Sequence, residues 1–125
     1  KYTDLEWCSW MKSDTVTFTL DLKKPEFVNK LTLGSITNYG MAVHKPAEIE
    51  VWISGDDKEY RKVGECSYTK NEIFREGVFR EDIPFEIGTE ARYVRVVARG
   101  AGDCPFTHVR PGQEVRIYFD EIIIE

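Results

Sequence analysis

Between residues 15 and 22 every second side chain is apolar: Val16, Phe18, Leu20 and Leu22 alternate with Thr17, Thr19 and Asp21. A helix would scatter that set around its surface. A strand gathers it on one face, so the period of two predicts half-buried β-structure. Lys23-Lys24-Pro25-Glu26 then reads as a stop, and residues 28–36 as the next strand, with Leu31 and Leu33 on one face. After Pro46, Ile49, Val51 and Ile53 point inward while Glu48, Glu50 and Trp52 point outward. Gly55-Asp56-Asp57 turns that strand back into residues 60–65 as a hairpin. Residues 67–90 are less regular, with short strands at Val78-Phe79 and around Ile83-Pro84-Phe85, where Pro84 suits an edge or a bulge. Residues 91–99 form the strongest strand, carrying Val94, Val96 and Ala98 on one face. Residues 115–124 form the last one, interrupted at Asp120-Glu121. No helical period of useful length appears. About eight strands with closely spaced turns predict an all-β fold, an antiparallel β-sandwich of jelly-roll type.

A chain of 125 residues suits one domain. At that size about two-thirds of the unfolded surface is buried, so a core needs no metal or disulfide. Both ends lie on strand patterns, which reads as a single domain, 1–125, excised from a larger multidomain protein. The net charge of −5 argues against nucleic-acid backbones and against docking on anionic lipid. No apolar run reaches roughly 18 residues, so no membrane insertion is expected. Cys8, Cys66 and Cys104 contain no CxxC pair, which removes zinc ribbons and thioredoxin-type redox motifs. Three reduced, mostly buried cysteines are the expectation, with a Cys8–Cys104 or Cys66–Cys104 bridge as the alternatives.

Catalytic chemistry is not expected. His44 and His108 lie in separate long loops, and no HExxH, GxSxG or P-loop pattern accompanies them. They read as loop histidines on a polar surface or in a ligand cleft. The pairs Asp56-Asp57, Glu81-Asp82 and Asp120-Glu121 sit on turns or within a strand, where neighbours face opposite ways, rather than across a cleft.

Four ordered blocks carry a family resemblance. Ala91-Arg92-Tyr93-Val94-Arg95-Val96 and Phe119-Asp120-Glu121-Ile122 resemble the closing strands of discoidin, or coagulation factor 5/8 type C, domains of galactose-binding-like fold. Thr17–Leu22 is similar to an earlier strand of that family, with Lys23 in place of its usual glycine, and Val51–Tyr60 is similar to its "VxxSxDGxxF" stretch. Trp7-Cys8-Ser9-Trp10, and Cys104-Pro105-Phe106-Thr107-His108 with Pro111-Gly112, resemble the module that ends many bacterial β-hexosaminidases (chitobiase-like enzymes). The subgroup's tryptophans near Ala42 and Arg116 are missing here.

That resemblance implies a non-catalytic carbohydrate-binding module appended to a secreted glycoside hydrolase. Its partners would be a galactose- or hexosamine-type glycan and the catalytic domain of the same parent chain. The parent would be periplasmic, cell-surface or secreted. Ligands in this fold meet loops at one end of the sandwich. The first loop offers Asn38, Tyr39 and His44; the second offers Phe106, His108 and Arg110. An aromatic face with amide, imidazole and guanidinium donors suits sugar hydroxyls and C–H groups. The alternative is that Tyr39 and Phe106 merely plug the end of the core. The family also often holds a structural calcium ion; Glu121 matches its late ligand, with Thr3 and Asp4 as the remnant of its early loop. Two other functions stand beside the glycan reading: a purely structural accessory domain packed on a catalytic neighbour, and a discoidin-type protein-binding module. Trp7 and Trp10 are expected to cover the core beside the first strand, with stacking on a sugar as the alternative. Trp52 faces either the parent enzyme or the 67–90 segment.

Overall fold

The computed structural model describes residues 2–3, 9–10, 15–102, 104–105, 107–112 and 115–125; of residues 2, 3, 9, 10 and 15 it describes the backbone. Two strands are far longer than the alternation suggested. β3 spans Thr15–Asn38 and β6 spans Val78–Arg99, and they pair antiparallel along their whole length, from Thr15↔Arg99 to Asn38↔Val78. β4 (Glu48–Ser54) lies on the far half of β6, and β5 (Arg61–Ser67) follows β4. β7 (Ile117–Ile124) lies beside the second half of β3, with the short strands β1 (Tyr2–Thr3) and β2 (Ser9–Trp10) on its outer side.

The β3–β6 pair is bent, and the bend makes the sandwich. The register shifts between Asp21 and Glu26 and again between Val28 and Lys30. Residues 15–21 and 93–99 therefore belong to one layer with β4 and β5, and residues 26–38 and 78–91 to the other with β7 and β1. Bulges of this kind kink a strand and sharpen its twist. The layers meet face to face: the Phe18 ring sits edge-on to Phe119 at 6.3 Å. Leu31, Leu33, Ile49, Val51, Val96, Ile117, Phe119 and Ile122 form the dry centre. All-β architecture follows from the alternation, but three boundaries differ. Lys23–Glu26 bends the strand instead of stopping it. The short strands expected around residues 78–87 and the strand at 91–99 are one element. Pro84 lies in the half of β6 that pairs only with β3, an edge position where its missing N–H costs nothing.

Lys23 takes a left-handed conformation, φ 77°, and its N–H donates to Asp21 Oδ1 at 2.8 Å. A residue with a Cβ is strained there and glycine is not. Replacing Lys23 with Gly is expected to raise the unfolding free energy by about 0.5–1 kcal/mol. Urea denaturation of Lys23→Gly against the parent checks it; an unchanged or lower midpoint would mean the bend carries no such strain.

Candidate functional site

Three segments converge at one end of the sandwich. After Asn38 the chain makes a 3-10 turn, Tyr39–Met41, closed by Ala42 N–H on the Tyr39 carbonyl. The loop is then stitched to the last strand: Arg116 N–H donates to Ala42 O, and His44 N–H to Arg116 O. The second loop is held by Val115 N–H on Gly102 O and Gly112 N–H on Cys104 O. Ala42, Cys104 and Val115 form a small buried cluster under both loops, with Phe74 packed against it.

The third segment is a single helical turn, α1 (Lys70–Ile73), which the alternation did not reveal. Its signal is nevertheless local. Thr69 and Glu72 form a reciprocal capping box: Thr69 Oγ1 accepts from Glu72 N–H, and Glu72 Oε1 accepts from Thr69 N–H. Ile73 is buried and fixes the turn to the body.

His44 and His108 link the three segments. Arg110 N–H donates to His108 Nδ1 at 2.9 Å, so the His108 proton is on Nε2. His108 Nε2 lies 3.1 Å from His44 Nε2, and His44 Nδ1 lies 2.9 Å from the Ile73 carbonyl. Only one arrangement satisfies every group: His108 Nε2–H donates to His44 Nε2, and His44 Nδ1–H donates to Ile73 O. Both rings are neutral. Burial pulls the His44 pKa down to about 4, against a partial opposing pull from the Ile73 carbonyl and a small further push from His108. Burial and then Arg110 lower that of His108.

A cleft of about 290 Å3 opens beside this pair, lined by Tyr39, Lys70, Asn71, Phe74, Pro105, Thr107 and His108. Tyr39 stacks on His108, centroids 4.0 Å apart, and Phe74 stands edge-on to both imidazoles. The expected site residues fall in different places. Tyr39 and His108 line the cleft. His44 is 0% exposed, not on a polar surface, and supports the site from behind. Arg110 is at the rim, its Nε donating to the Gly40 carbonyl. Asn38 caps the 3-10 turn by backbone bonds to Val43 and is not among the lining residues. Phe106 lies outside the described residues. Lys70, Asn71 and Phe74 were missed; the capping box was the only sequence signal for their segment.

Trp52 Nε1 donates to Glu50, and Lys62 lies over its ring. Trp7 and Cys8 are outside the described residues, as is the side chain of Trp10. Cys66 is a free thiol, so no Cys66–Cys104 bridge forms, and Cys104 is buried.

Among the described residues no group of three or more His, Cys, Asp or Glu side chains is placed to hold a metal ion. Arg80 Nη2 sits 3.1 Å from the Glu121 carboxylate and Nε 2.7 Å from that of Asp120. The backbone of Thr3 pairs with Ile122, next to Glu121, and Asp4 is outside the described residues. At Glu121 a positive charge is already supplied by arginine.

The fold and its end cleft define a two-layered β-sandwich of the galactose-binding-like kind, with polar and aromatic groups gathered at one end. A family model for the F5/8 type C domain matches residues 2–110, and the chain belongs to that family. Against curated protein sequences it gives no significant match. Among solved structures it is similar to the C-terminal domain of a chitobiase from Bacteroides fragilis (13% identity, TM-score 0.53, covering 89% of this chain and 62% of that one). It is also similar to CpGH89CBM32-5 from Clostridium perfringens, in complex with GalNAc-β-1,3-galactose (21%, 0.54, 86% and 63%). A third is CBM32-1 from a family 31 glycoside hydrolase of the same organism (17%, 0.56, 90% and 70%). The chain spans under two-thirds of the length of the first two. These identities speak for the fold.

Proposed function

We propose that this domain is a carbohydrate-binding module of a larger exported bacterial glycoside hydrolase, and that it takes a galactose- or hexosamine-type sugar in the end cleft. The supporting observation is the lining of that cleft. Tyr39 and Phe74 offer ring faces and edges to C–H groups, while Asn71, Thr107 and Lys70 offer donors and acceptors to hydroxyls. The His44–His108 pair holds all three segments in place, so the site is formed before a ligand arrives. The catalytic domain of the parent chain would be its covalent partner.

Isothermal titration with galactose, N-acetylgalactosamine and N-acetylglucosamine, with and without calcium, tests this. Tyr39→Ala and Asn71→Ala are each expected to weaken the binding about tenfold, the worth of one stacked ring or one well-placed hydrogen bond. Calcium is expected to change nothing. Binding unaffected by either substitution would place the sugar elsewhere.

One observation favours a second reading, docking on a protein neighbour. Met41, Val78 and Val109 are all well exposed. Each is one residue from a bond that ties the cleft's rim, Tyr39 N–H to Gly77 O or Arg110 Nε to Gly40 O. A blank sugar titration from folded protein, with tight binding to the parent's catalytic domain lost in Val78→Lys, would select it.

A further inference from the structure

The outward side chains of the first layer form three parallel rows. The register sets Thr17 and Thr19 of β3 opposite Val97 and Arg95 of β6, and Arg99, Val97 and Arg95 opposite Glu48, Glu50 and Trp52 of β4. A cleft of about 320 Å3 opens on this face, lined by Glu50, Trp52, Tyr60, Arg95, Val97 and Arg99. That is large enough for a small ligand, for which sites begin at roughly 300 Å3. None of these residues belongs to the end cleft.

Two rings and an apolar side chain define its character. Trp52 Nε1–H donates to Glu50 Oε1 at 3.2 Å, which satisfies the only polar atom of the indole inside the sheet and leaves its carbon surface to the cleft. The Tyr60 ring carries the Arg95 guanidinium 3.9 Å from its centroid, and the Tyr60 hydroxyl donates to Asp57. Val97 lies between the two arginines on β6. An aromatic wall beside hydroxyl, guanidinium and carboxylate groups presents both things that a pyranose offers partners for: C–H faces and directional hydroxyls.

The charges narrow the ligand. Arg99 pairs with Glu50 at 3.2 Å and Glu48 at 3.6 Å. Lys62 pairs with Glu65 at 3.0 Å and Glu50 at 4.0 Å. Arg95 lies 3.8 Å from Asp57 and donates to Thr19 Oγ1. Among the described residues, Arg95, Arg99 and Lys62 on this face are each matched by a carboxylate. An anionic ligand would have to displace one of them, whereas hydroxyl groups can join the network with all the pairs intact.

We infer that this face is a second binding site, separate from the end cleft, for an uncharged sugar chain laid across β4 and β6 against Trp52. It goes beyond the end-cleft reading and does not depend on it.

The test is chemical-shift mapping of the 15N-labelled domain in the Tyr39→Ala background, with chitotriose and N-acetyllactosamine as neutral probes and trigalacturonate as the acidic one. The Trp52 indole N–H is assigned through Trp52→Phe. The expected result is a saturable shift of Trp52, Tyr60, Arg95, Val97 and Arg99 with a neutral probe. Trp52→Ala should weaken it about tenfold and Trp52→Phe, which keeps a ring, much less. Unmoved resonances on this face with both neutral probes would overturn the inference. Stronger binding of trigalacturonate would overturn it too. Shifts confined to Asn71, Phe74 and Thr107 in the parent protein would overturn it while leaving the end cleft standing.

Discussion

Acidification from about pH 6.5 to about pH 4 is expected to remove about 3 kcal/mol of stability through His44 alone. The sign follows from the direction of the shift. In the unfolded chain His44 takes a proton below its ordinary value of 6.5, and in the folded domain only near 4. The unfolded state therefore binds more protons across that window. The contribution is complete above pH 6.5 and declines as the pH falls to 4. His108, also lowered, acts in the same direction. Arg110 at the rim also opposes a proton on His108. Carboxylates lose their share in a lower range. Asp21, Glu50, Asp56 and Glu72 are held below 3.8 or 4.5 by their hydrogen-bond partners, so their contributions persist until the pH falls past those values. Urea denaturation between pH 7 and about pH 5 isolates the histidines. A His44→Leu variant should be less stable at neutral pH and show a shallower slope across that range, the remainder coming from His108. Parallel slopes for the variant and the parent protein would show that His44 is not the source.

The second large effect concerns Arg80. Its guanidinium reaches Asp82 at 2.7 Å, Asp120 at 2.7 Å and Glu121 at 3.1 Å. Neighbouring residues of a strand normally face opposite sides, and the alternation assigned Asp120 and Glu121 to opposite faces. A bulge changes this: Gly34 pairs with Glu121 and Ser35 with Phe119, so Asp120 has no partner and both carboxylates come within reach of one arginine. Gly34 provides the room, since a Cβ there would collide with the guanidinium and with Asp120. Arg80→Met leaves three carboxylates together. The expected loss is about 2 kcal/mol, below the value for a fully buried pair because Arg80, Asp120 and Glu121 are about a third exposed, Asp82 is more than half exposed, and solvent screens them. Arg80→Lys should recover less than half, because one ammonium cannot fork across three acceptors. A thermal-melt loss under 0.5 kcal/mol for Arg80→Met would mean that the cluster is solvated decoration.

The alternation made the strands legible because burial on one face is written every second residue, as in Val16 to Leu22 and Ile49 to Ile53. It did not show where strands continue. Lys-Lys-Pro-Glu at 23–26 has the composition of a stop, but bends and turns use the same residues, and only pairing across to Tyr93 and Ala91 tells them apart. At the end cleft, the long loops pointed to Tyr39, His44, His108 and Arg110, which the structure brings together. The burial of His44 was not readable, because it depends on Ile73 and His108 arriving from distant parts of the chain. Asn71 and Phe74 were missed for a related reason. One helical turn is too short to show a period, and its capping box stands in a stretch otherwise read as irregular.

The bent β3–β6 ladder also governs how the domain folds. The β4–β5 hairpin is local and can form early, but β3 finds its partner only across the intervening chain, from Asn38↔Val78 out to Thr15↔Arg99. Closing such a loop costs entropy before any contact repays it, so folding belongs to the slow, millisecond-to-second range of high-contact-order β-proteins. Each layer contains half of the same ladder. Neither layer can be completed first and added to the other; both assemble as the ladder zips through its bend.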